Sequence, residues 1–201
     1  MELRTILLFY LFPMFFSYLL GSIPTGLWIG VLFYKKDIRK YGSGNIGATN
    51  ALRVLGRIPG AIALFCDALK GFLPVILAKI FLSDYSYLPL LMGISAIFGH
   101  LFSIFLLFKG GKGVATGTGV YLAIAPIPTL IAGIVFFITA FSTRMVSVGS
   151  ISSAITLAIL TSFLYKNDLI FVFITCLIAT LVVYKHRSNI QRIIRGEENK
   201  F

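Results

Sequence analysis

Long apolar runs separated by short polar segments make up most of this chain. Charged residues are absent or rare in six runs, 5–33, 59–82, 86–108, 114–141, 146–165 and 168–184. A helix needs about 20 apolar residues to cross the hydrocarbon core of a membrane. The pattern therefore predicts an all-α integral membrane protein rather than a soluble domain.

The fourth run has two prolines in its middle, Pro126 and Pro128. Proline lacks the backbone N–H that a continuous helix uses, so one long helix would lose hydrogen bonds inside the membrane. We therefore expect two shorter helices here, roughly 114–126 and 128–141. This interpretation gives seven transmembrane helices, whereas a single kinked helix would give six.

The basic residues distinguish these two counts. In the seven-helix arrangement, 14 of the 18 Lys and Arg residues lie on one side, and only Arg4, Lys79 and Lys166 lie on the other. The remaining residue, Lys70, lies inside a span. Cytoplasmic loops of membrane proteins carry the excess of Lys and Arg. We therefore expect the N-terminus outside and the C-terminus in the cytoplasm. Six helices would place Arg144 and the basic tail after residue 184 on opposite sides.

Composition supports the membrane class and restricts the partners. A mean hydropathy of +0.94 with 12% charged residues leaves more apolar surface than one soluble core can bury. The net charge of +11 follows the predicted topology and does not indicate a nucleic-acid partner. Cys66 and Cys176 lie inside apolar runs and are interpreted as small apolar residues. We expect a single polytopic membrane domain, 1–201, without a metal or cofactor.

Every glycine-rich polar segment falls on the predicted cytoplasmic face. These segments are 34–58, 108–119, 142–153 and 184–192. Glycine lets backbone N–H groups approach a ligand, and Ser, Thr and Asn side chains add donors. Together with the charges of Arg53 and Lys112, this composition is typical of an anion site, and phosphate is the usual ligand. Topological anchoring is the alternative role for the basic residues of these segments.

The candidate site residues are the basic groups, small donors and glycines of these segments. The candidate catalytic residues are Ser43, Arg53, Lys112, His186 and Asn189. The candidate substrate-binding residues are Gly44, Asn45, Gly47, Thr49, Asn50, Gly110, Gly111, Gly113, Thr116 and Ser150. His186 and Asn189 would share a helix face if the last helix continues past Tyr184. A structural pair that caps this helix is the alternative.

Two charges lie inside the second apolar run. Asp67 and Lys70 are three residues apart, close enough to pair on one helix face. Charges inside a membrane are usually functional, yet a structural pair fits their position equally well. His100, near the cytoplasmic end of the third run, is interpreted as a structural residue, and His186 is the better functional candidate.

Three segments together carry a family resemblance. GSGNIGATN at 42–50, GHLFSIFLLFKGGKGVATG at 99–117 and HRSNIQRI at 186–193 resemble the signature regions of the bacterial acyl-phosphate-dependent glycerol-3-phosphate acyltransferases, the PlsY family. SIPTGLWIG, DIRKYGSGN and DALKG also resemble that family's pattern. The resemblance covers nearly the whole chain, with the motifs in the family's order.

The resemblance implies an enzyme that transfers a fatty acyl group from acyl phosphate to the 1-hydroxyl of glycerol-3-phosphate. The products would be lysophosphatidic acid and phosphate, in phospholipid biosynthesis. The expected partners are these two substrates and membrane lipids, with the active site facing the cytoplasm at the bacterial inner membrane. A transporter or scramblase of a phosphorylated metabolite or lipid is the alternative, although carriers need more polar groups at mid-membrane and on both faces.

The commoner acyltransferase design pairs a His with an Asp five residues later, so that the carboxylate orients an imidazole base. Here Phe105 and Gln191 stand at that offset from the two histidines, and neither can serve. Acyl phosphate is a mixed anhydride with a good leaving group, which makes a protein base less necessary. We therefore expect catalysis by positioning and charge stabilisation, with a substrate phosphate oxygen accepting the proton.

Overall fold

The computed structural model describes residues 3–201, and every regular element in that range is helical. The all-α prediction is confirmed. The chain forms two compact units, 3–124 and 125–201, and the prediction of a single domain stays a prediction. Each unit is described separately.

The first unit contains seven α-helices. They are α1 Leu3–Ile6, α2 Phe12–Ser22, α3 Thr25–Tyr34, α4 Ala48–Leu55, α5 Arg57–Phe81, α6 Leu88–Leu101 and α7 Val114–Ile124. A π-helical segment, Leu7–Leu11, joins α1 to α2, and short 3₁₀ turns lie at Ile38–Lys40 and Ile104–Leu106. The second unit contains α8 Pro126–Thr143, α9 Val146–Leu164, α10 Leu169–Lys185 and α11 Arg187–Ile194.

The fourth apolar run is divided into two helices, as its prolines predict. Helix α7 ends at Ile124, Ala125 has a non-helical backbone, and Pro126 opens α8. Proline disfavours the helical region for the residue before it but is well tolerated in the first turn of a helix. The break therefore falls at Ala125, just ahead of the first proline rather than between the two.

Within residues 3–201, the helix lengths permit four to six membrane spans. Four stretches are long and apolar enough to cross, namely α5, Leu88–Leu106, α8 and α9. Two bent pairs raise the number to six if each pair is one span, Leu7–Ser22 with α3 at 47° and α10 with α11 at 54°. Helix α7 has 11 residues, or about 16 Å at a rise of roughly 1.5 Å per residue. That length is short of a hydrocarbon core of about 30 Å, so seven spans stay a prediction.

Glycines allow the helices of the first unit to pack with their backbones in contact. A Cβ at Gly71 of α5 would overlap the carbonyl of Thr116 in α7, and a Cβ at Gly119 would overlap the carbonyl of Ala68. Small residues at such crossings are the usual device for packing helices in a membrane, because lipid provides no hydrophobic drive for helix association. The close packing of α5 on α7 fixes the start of α7, where the candidate lysine loop ends.

Candidate active site

A buried asparagine shapes the glycine-rich loop that precedes α4. Asn50 is 1% exposed, and its Nδ2 donates to the carbonyls of Ile38 and Asn45, each at 2.8 Å. Its Oδ1 accepts from the backbone N–H of Ser43 at 2.9 Å. Because both ends of the amide are used within the loop, Asn50 supports the loop from inside. Its part in substrate binding stays a prediction.

Two glycines give this loop its sharp turns. Gly42 and Gly44 have φ of +59° and +69°, a region that side-chain-bearing residues rarely adopt. Gly44 donates its N–H to the carbonyl of Tyr41 at 3.0 Å, and the side chain of Asn45 accepts from the N–H of Gly47 at 3.1 Å. These turns bring the chain into α4 with Gly47 as its N-terminal cap.

Helix α4 has one buried face and one exposed face. Asn50 and Ala51 are buried, whereas Arg53 in the last turn is exposed. Thr49 and Arg53 are four residues apart, so their side chains share a face of the helix. The candidate donor Thr49 and the candidate cation Arg53 therefore belong to one surface, next to the loop that carries Ser43.

An ion pair closes the turn just before this loop. Arg39 Nη2 lies 2.7 Å from Asp37 Oδ2. This hydrogen bond lowers the pKa of Asp37 to about 2, against an opposing contribution from partial burial. Arg39 is therefore engaged in shaping the turn, in contrast to the predicted anion-binding role of Arg53.

The glycine-rich lysine loop, 109–113, lies along the end of α6. Gly110 donates its N–H to the carbonyl of Leu101 at 3.2 Å, and Gly111 donates to the carbonyl of His100 at 2.9 Å. A Cβ at Gly110 would overlap the backbone of residues 100 and 101, and Gly113 has φ of +82°. Each glycine thus has its own structural reason. Lys112, partly exposed, is held just before the N-terminus of α7.

Thr116 lies elsewhere than the sequence suggested. Its side chain is fully buried, and its Oγ1 has no hydrogen-bond partner among residues 3–201. Its carbonyl lies against Gly71 of α5. The structure therefore places Thr116 inside the contact between α5 and α7 and not on the surface of the lysine loop.

The predicted pairing of Asp67 with Lys70 is confirmed. Lys70 Nζ lies 2.8 Å from Asp67 Oδ1, and both side chains are at most 5% exposed. Lys70 also donates to the carbonyl of Ile23 at 2.7 Å, and Thr25 Oγ1 donates to Asp67 Oδ1 at 3.1 Å. Both charges are therefore hydrogen-bonded to the break between α2 and α3, which satisfies them inside the protein.

His100 connects this ion pair to the lysine loop. Its Nδ1 lies 3.9 Å from Asp67 Oδ1, while Gly111 of the loop lies directly against the imidazole ring. Gly26, next to Thr25, packs against the carbonyl of Ile46 in the other glycine-rich loop. The lysine loop therefore contacts this cluster at His100, and the other loop contacts Gly26, the neighbour of Thr25. Sequence reasoning assigned His100 only a general structural role and missed this connection.

In the second unit, His186 and Asn189 lie at a helix break. Helix α10 ends at Lys185 and α11 begins at Arg187, so the last helix does not run straight through. His186 is 2% exposed, with Nδ1 2.8 Å from the carbonyl of Val182. Asn189 is 4% exposed, and its Nδ2 donates to Glu198 at 2.7 Å.

Glu198 organises this end of the second unit. Its carboxylate accepts from Asn189 and, at 2.8 Å each, from Ser147 of α9 and Arg192 of α11. Burial raises the pKa of Glu198, but the hydrogen bonds from these three side chains outweigh it and hold the pKa below its ordinary value. Glu198 was not among the candidate residues of the sequence analysis.

Ser150 lies on the same face of α9 as Ser147, three residues further along. It is 5% exposed, and its Oγ donates to the carbonyl of Val146 within the helix at 2.9 Å. The structure thus places Ser150 one turn from the Glu198 cluster, with its hydroxyl bonded to its own helix.

The family follows from comparison with known proteins. The model of the family described as glycerol-3-phosphate acyltransferase matches residues 11–196. This chain belongs to the glycerol-3-phosphate acyltransferase family. The predicted resemblance is confirmed, and membership favours a membrane-embedded enzyme of phospholipid biosynthesis over the transporter or scramblase.

Relatives of the acyltransferase match along almost their whole length. The glycerol-3-phosphate acyltransferase of Fusobacterium nucleatum is 46% identical over 185 residues, 92% of this chain and 94% of the relative. That of Trichlorobacter lovleyi is 49% identical over 185 residues, with the same two coverages.

Two crystal structures of PlsY (YgiH), an integral membrane glycerol 3-phosphate acyltransferase, share the fold of this acyltransferase. The glycerol 3-phosphate form is 39% identical with a TM-score of 0.89, and the lysophosphatidic acid form is 38% identical with a TM-score of 0.85. Each alignment covers 95% of this chain and 94% of the other.

Proposed function

We propose that this acyltransferase transfers a fatty acyl group from acyl phosphate to the 1-hydroxyl of glycerol-3-phosphate, giving lysophosphatidic acid and inorganic phosphate. The observation that carries the proposal is the lysine loop, in which three glycines and Lys112 are held at the start of α7. PlsY, 39% identical to this chain, has been crystallised in a glycerol 3-phosphate form and a lysophosphatidic acid form, which supports this acceptor and this product.

The lysine loop suits a phosphate group for three reasons. Its glycines let the loop lie close against the end of α6, where a Cβ at Gly110 or Gly111 would overlap residues 100 and 101, and this contact fixes the loop that carries Lys112. Lys112 supplies a positive charge, and the first N–H groups of α7 have no acceptor within the helix. Hydrogen bonds to an ionised phosphate are about twice as strong as those between neutral groups.

The loop shaped by Asn50 supplies the second set of donors. Ser43, Asn45 and Thr49 lie on it or in the first turn of α4, and Arg53 shares a face with Thr49. A guanidinium matches phosphate with two parallel hydrogen bonds, which a lysine ammonium cannot do. We assign Arg53 and Lys112 to the two substrate phosphates, and the predicted roles of His186, Asn189 and Ser150 in binding stay predictions.

The reaction is a direct acyl transfer in this proposal. The hydroxyl oxygen of glycerol-3-phosphate attacks the carbonyl carbon of the donor and forms an ester bond. The bond from that carbon to the bridging phosphate oxygen breaks, and the phosphate leaves with the electron pair. The hydroxyl proton passes to a phosphate oxygen. The protein supplies orientation and positive charge where negative charge develops.

The buried histidine of the first unit does not fit the role of general base. A base must lie within hydrogen-bond reach of the proton that it takes. His100 is 5% exposed and covered by Gly111, and Asp67 is already bonded to Lys70 and Thr25. His100 and Asp67 come from two different helices, so no fixed spacing in the sequence indicates that they are neighbours. The geometry of this pair supports a substrate-assisted reaction.

The location in the cell is also part of the proposal. We place the enzyme in the bacterial inner membrane with the two loops facing the cytoplasm, since 14 of 18 basic residues would then lie on that side. Cysteine labelling in intact cells tests this orientation, with an introduced thiol at Lys40 expected to be protected from an impermeant reagent.

The reaction itself is tested with purified enzyme, palmitoyl phosphate and glycerol-3-phosphate. We expect equimolar release of phosphate and formation of 1-palmitoyl lysophosphatidic acid, both dependent on glycerol-3-phosphate. Folded enzyme that releases no phosphate under these conditions, or that releases it equally without the acceptor, would contradict the proposal.

A further inference from the structure

We infer that the imidazole of His100 is a positioning group for the reaction. It sets the distance between the lysine loop and the end of α6, and thereby the position of the Lys112 ammonium. The inference rests on the proposed function, in which Lys112 binds a substrate phosphate. It assigns His100 a role that is neither acid nor base.

The loop and the end of α6 are joined in two ways at this point. Two backbone hydrogen bonds link Gly110 and Gly111 to residues 101 and 100, at 3.2 and 2.9 Å. The ring of His100 also lies under the α-carbon of Gly111. A Cβ built there would come within 3.1 Å of both ring carbons Cδ2 and Cε1, and closer still to Nε2. Real Cβ atoms essentially never come as close to another atom as this one would to Nε2, so the ring or the loop would have to move to admit any other residue.

The ring also lies near the buried ion pair. Its Nδ1 is 3.9 Å from Asp67 Oδ1, which is beyond hydrogen-bond distance. The carboxylate is fixed by Lys70 at 2.8 Å and by Thr25 at 3.1 Å. The imidazole is therefore enclosed beside a fixed carboxylate, and the side chains of Asp67, Lys70 and His100 are at most 5% exposed.

A rigid support of this kind matters because phosphate binding depends on sub-ångström placement. A displacement of about 1 Å at a reacting group can lower a rate by about 100-fold. A methyl group at Gly111 must push either the loop or the imidazole aside. Alanine in place of His100 removes the imidazole, so the loop should move towards α6. The two changes are opposite in direction, so they should compensate when combined.

A double-mutant cycle tests this contact, with kcat and KM measured for both substrates. We expect Gly111→Ala to lower kcat/KM at least 30-fold and His100→Ala at least tenfold. The double variant should be at least tenfold more active than Gly111→Ala alone. Each single variant should raise the KM of one substrate at least tenfold and leave the other within threefold, because one phosphate lies at this loop. Gly117→Ala is the control, since a Cβ there meets no atom within 4 Å.

Two results would overturn the inference. One is a folded double variant whose activity is the product of the two single effects. The other is an equal rise in KM for both substrates, which indicates general loosening. Thermal unfolding of each variant establishes that it is folded, and His100→Asn replaces His100→Ala in the same cycle if the alanine variant does not fold. Wild-type enzyme that releases no phosphate from palmitoyl phosphate would instead contradict the proposed function.

Discussion

Replacement of Asn50 by alanine should disorder the loop that carries Ser43 while leaving the helices intact. The substitution removes three short hydrogen bonds, to the carbonyls of Ile38 and Asn45 at 2.8 Å and from the N–H of Ser43 at 2.9 Å. Each bond contributes about 0.5–1.5 kcal/mol net. The closed form of the loop should therefore lose about 1.5–4.5 kcal/mol, which is a roughly 10- to 2000-fold increase in opening.

Hydrogen exchange and kinetics measure this effect together. The amide of Ser43 should exchange at least tenfold faster in Asn50→Ala, because its acceptor is the side chain that has been removed. The kcat/KM for glycerol-3-phosphate or for the acyl donor should fall at least tenfold, since the loop must be reordered on binding. Asn167→Ala, at an exposed asparagine, is the matched control and should change neither quantity. Unchanged exchange of Ser43 together with unchanged kinetics would refute the assignment of Asn50 as the internal support of the loop.

Three further predictions concern the lysine loop and the cluster around Glu198. Lys112→Ala should lower kcat/KM by about 30- to 1000-fold, the loss of a charge-assisted contact of roughly 2–4 kcal/mol in the transition state; a folded variant with wild-type rates would show that the site lies elsewhere. Glu198→Gln should reduce the loss of thermal stability on acidification. The lowered pKa of Glu198 means that its stabilisation is complete above its ordinary value of 4.5 and disappears as the pH falls through the folded value; equal slopes of melting temperature between pH 6 and 3 would contradict this. His186→Ala and Asn189→Ala should each lower turnover at least tenfold, about 1.4 kcal/mol, and Asn189→Ala should also lower the melting temperature because it removes a hydrogen bond to the buried Glu198; if the folded double variant turns over normally, the pair is structural.

The features that sequence reasoning predicted well are local in the chain. The break ahead of Pro126 follows from the backbone of proline itself, and the pairing of Asp67 with Lys70 follows from their three-residue spacing on one helix. The all-α membrane class follows from composition. Each of these features depends on residues that are close together in the sequence or on composition alone.

The features that it missed depend on where distant segments meet. His100 contacts Gly111 only because the chain reverses between them, with φ of +51° at Leu107 and +62° at Phe108. Neither residue type predicts a left-handed backbone. Glu198 becomes a hub only because the tail returns to Ser147, 51 residues earlier in the chain. No spacing rule connects residues that far apart.

Asn50 and Thr116 illustrate a different limit. Both are polar residues in glycine-rich segments, and composition alone made them candidate ligands. The helical register directs Asn50 into the loop interior and Thr116 towards α5, and their part in substrate binding stays a prediction. A polar side chain that supports a binding loop and one that contacts the ligand have the same appearance in a sequence.

The choice of acyl donor tests the central claim most directly. Purified enzyme is given palmitoyl phosphate and palmitoyl-CoA at equal concentration with glycerol-3-phosphate, and lysophosphatidic acid is measured by mass spectrometry with a different isotope label in each donor's acyl chain. The lysine loop is suited to a small phosphate leaving group, and the chain offers no His–Asp base at the five-residue offset. We therefore predict that at least 95 parts in about 100 of the product carry the label from palmitoyl phosphate, a preference that corresponds to roughly 2 kcal/mol. Product labelled equally from both donors would contradict the account.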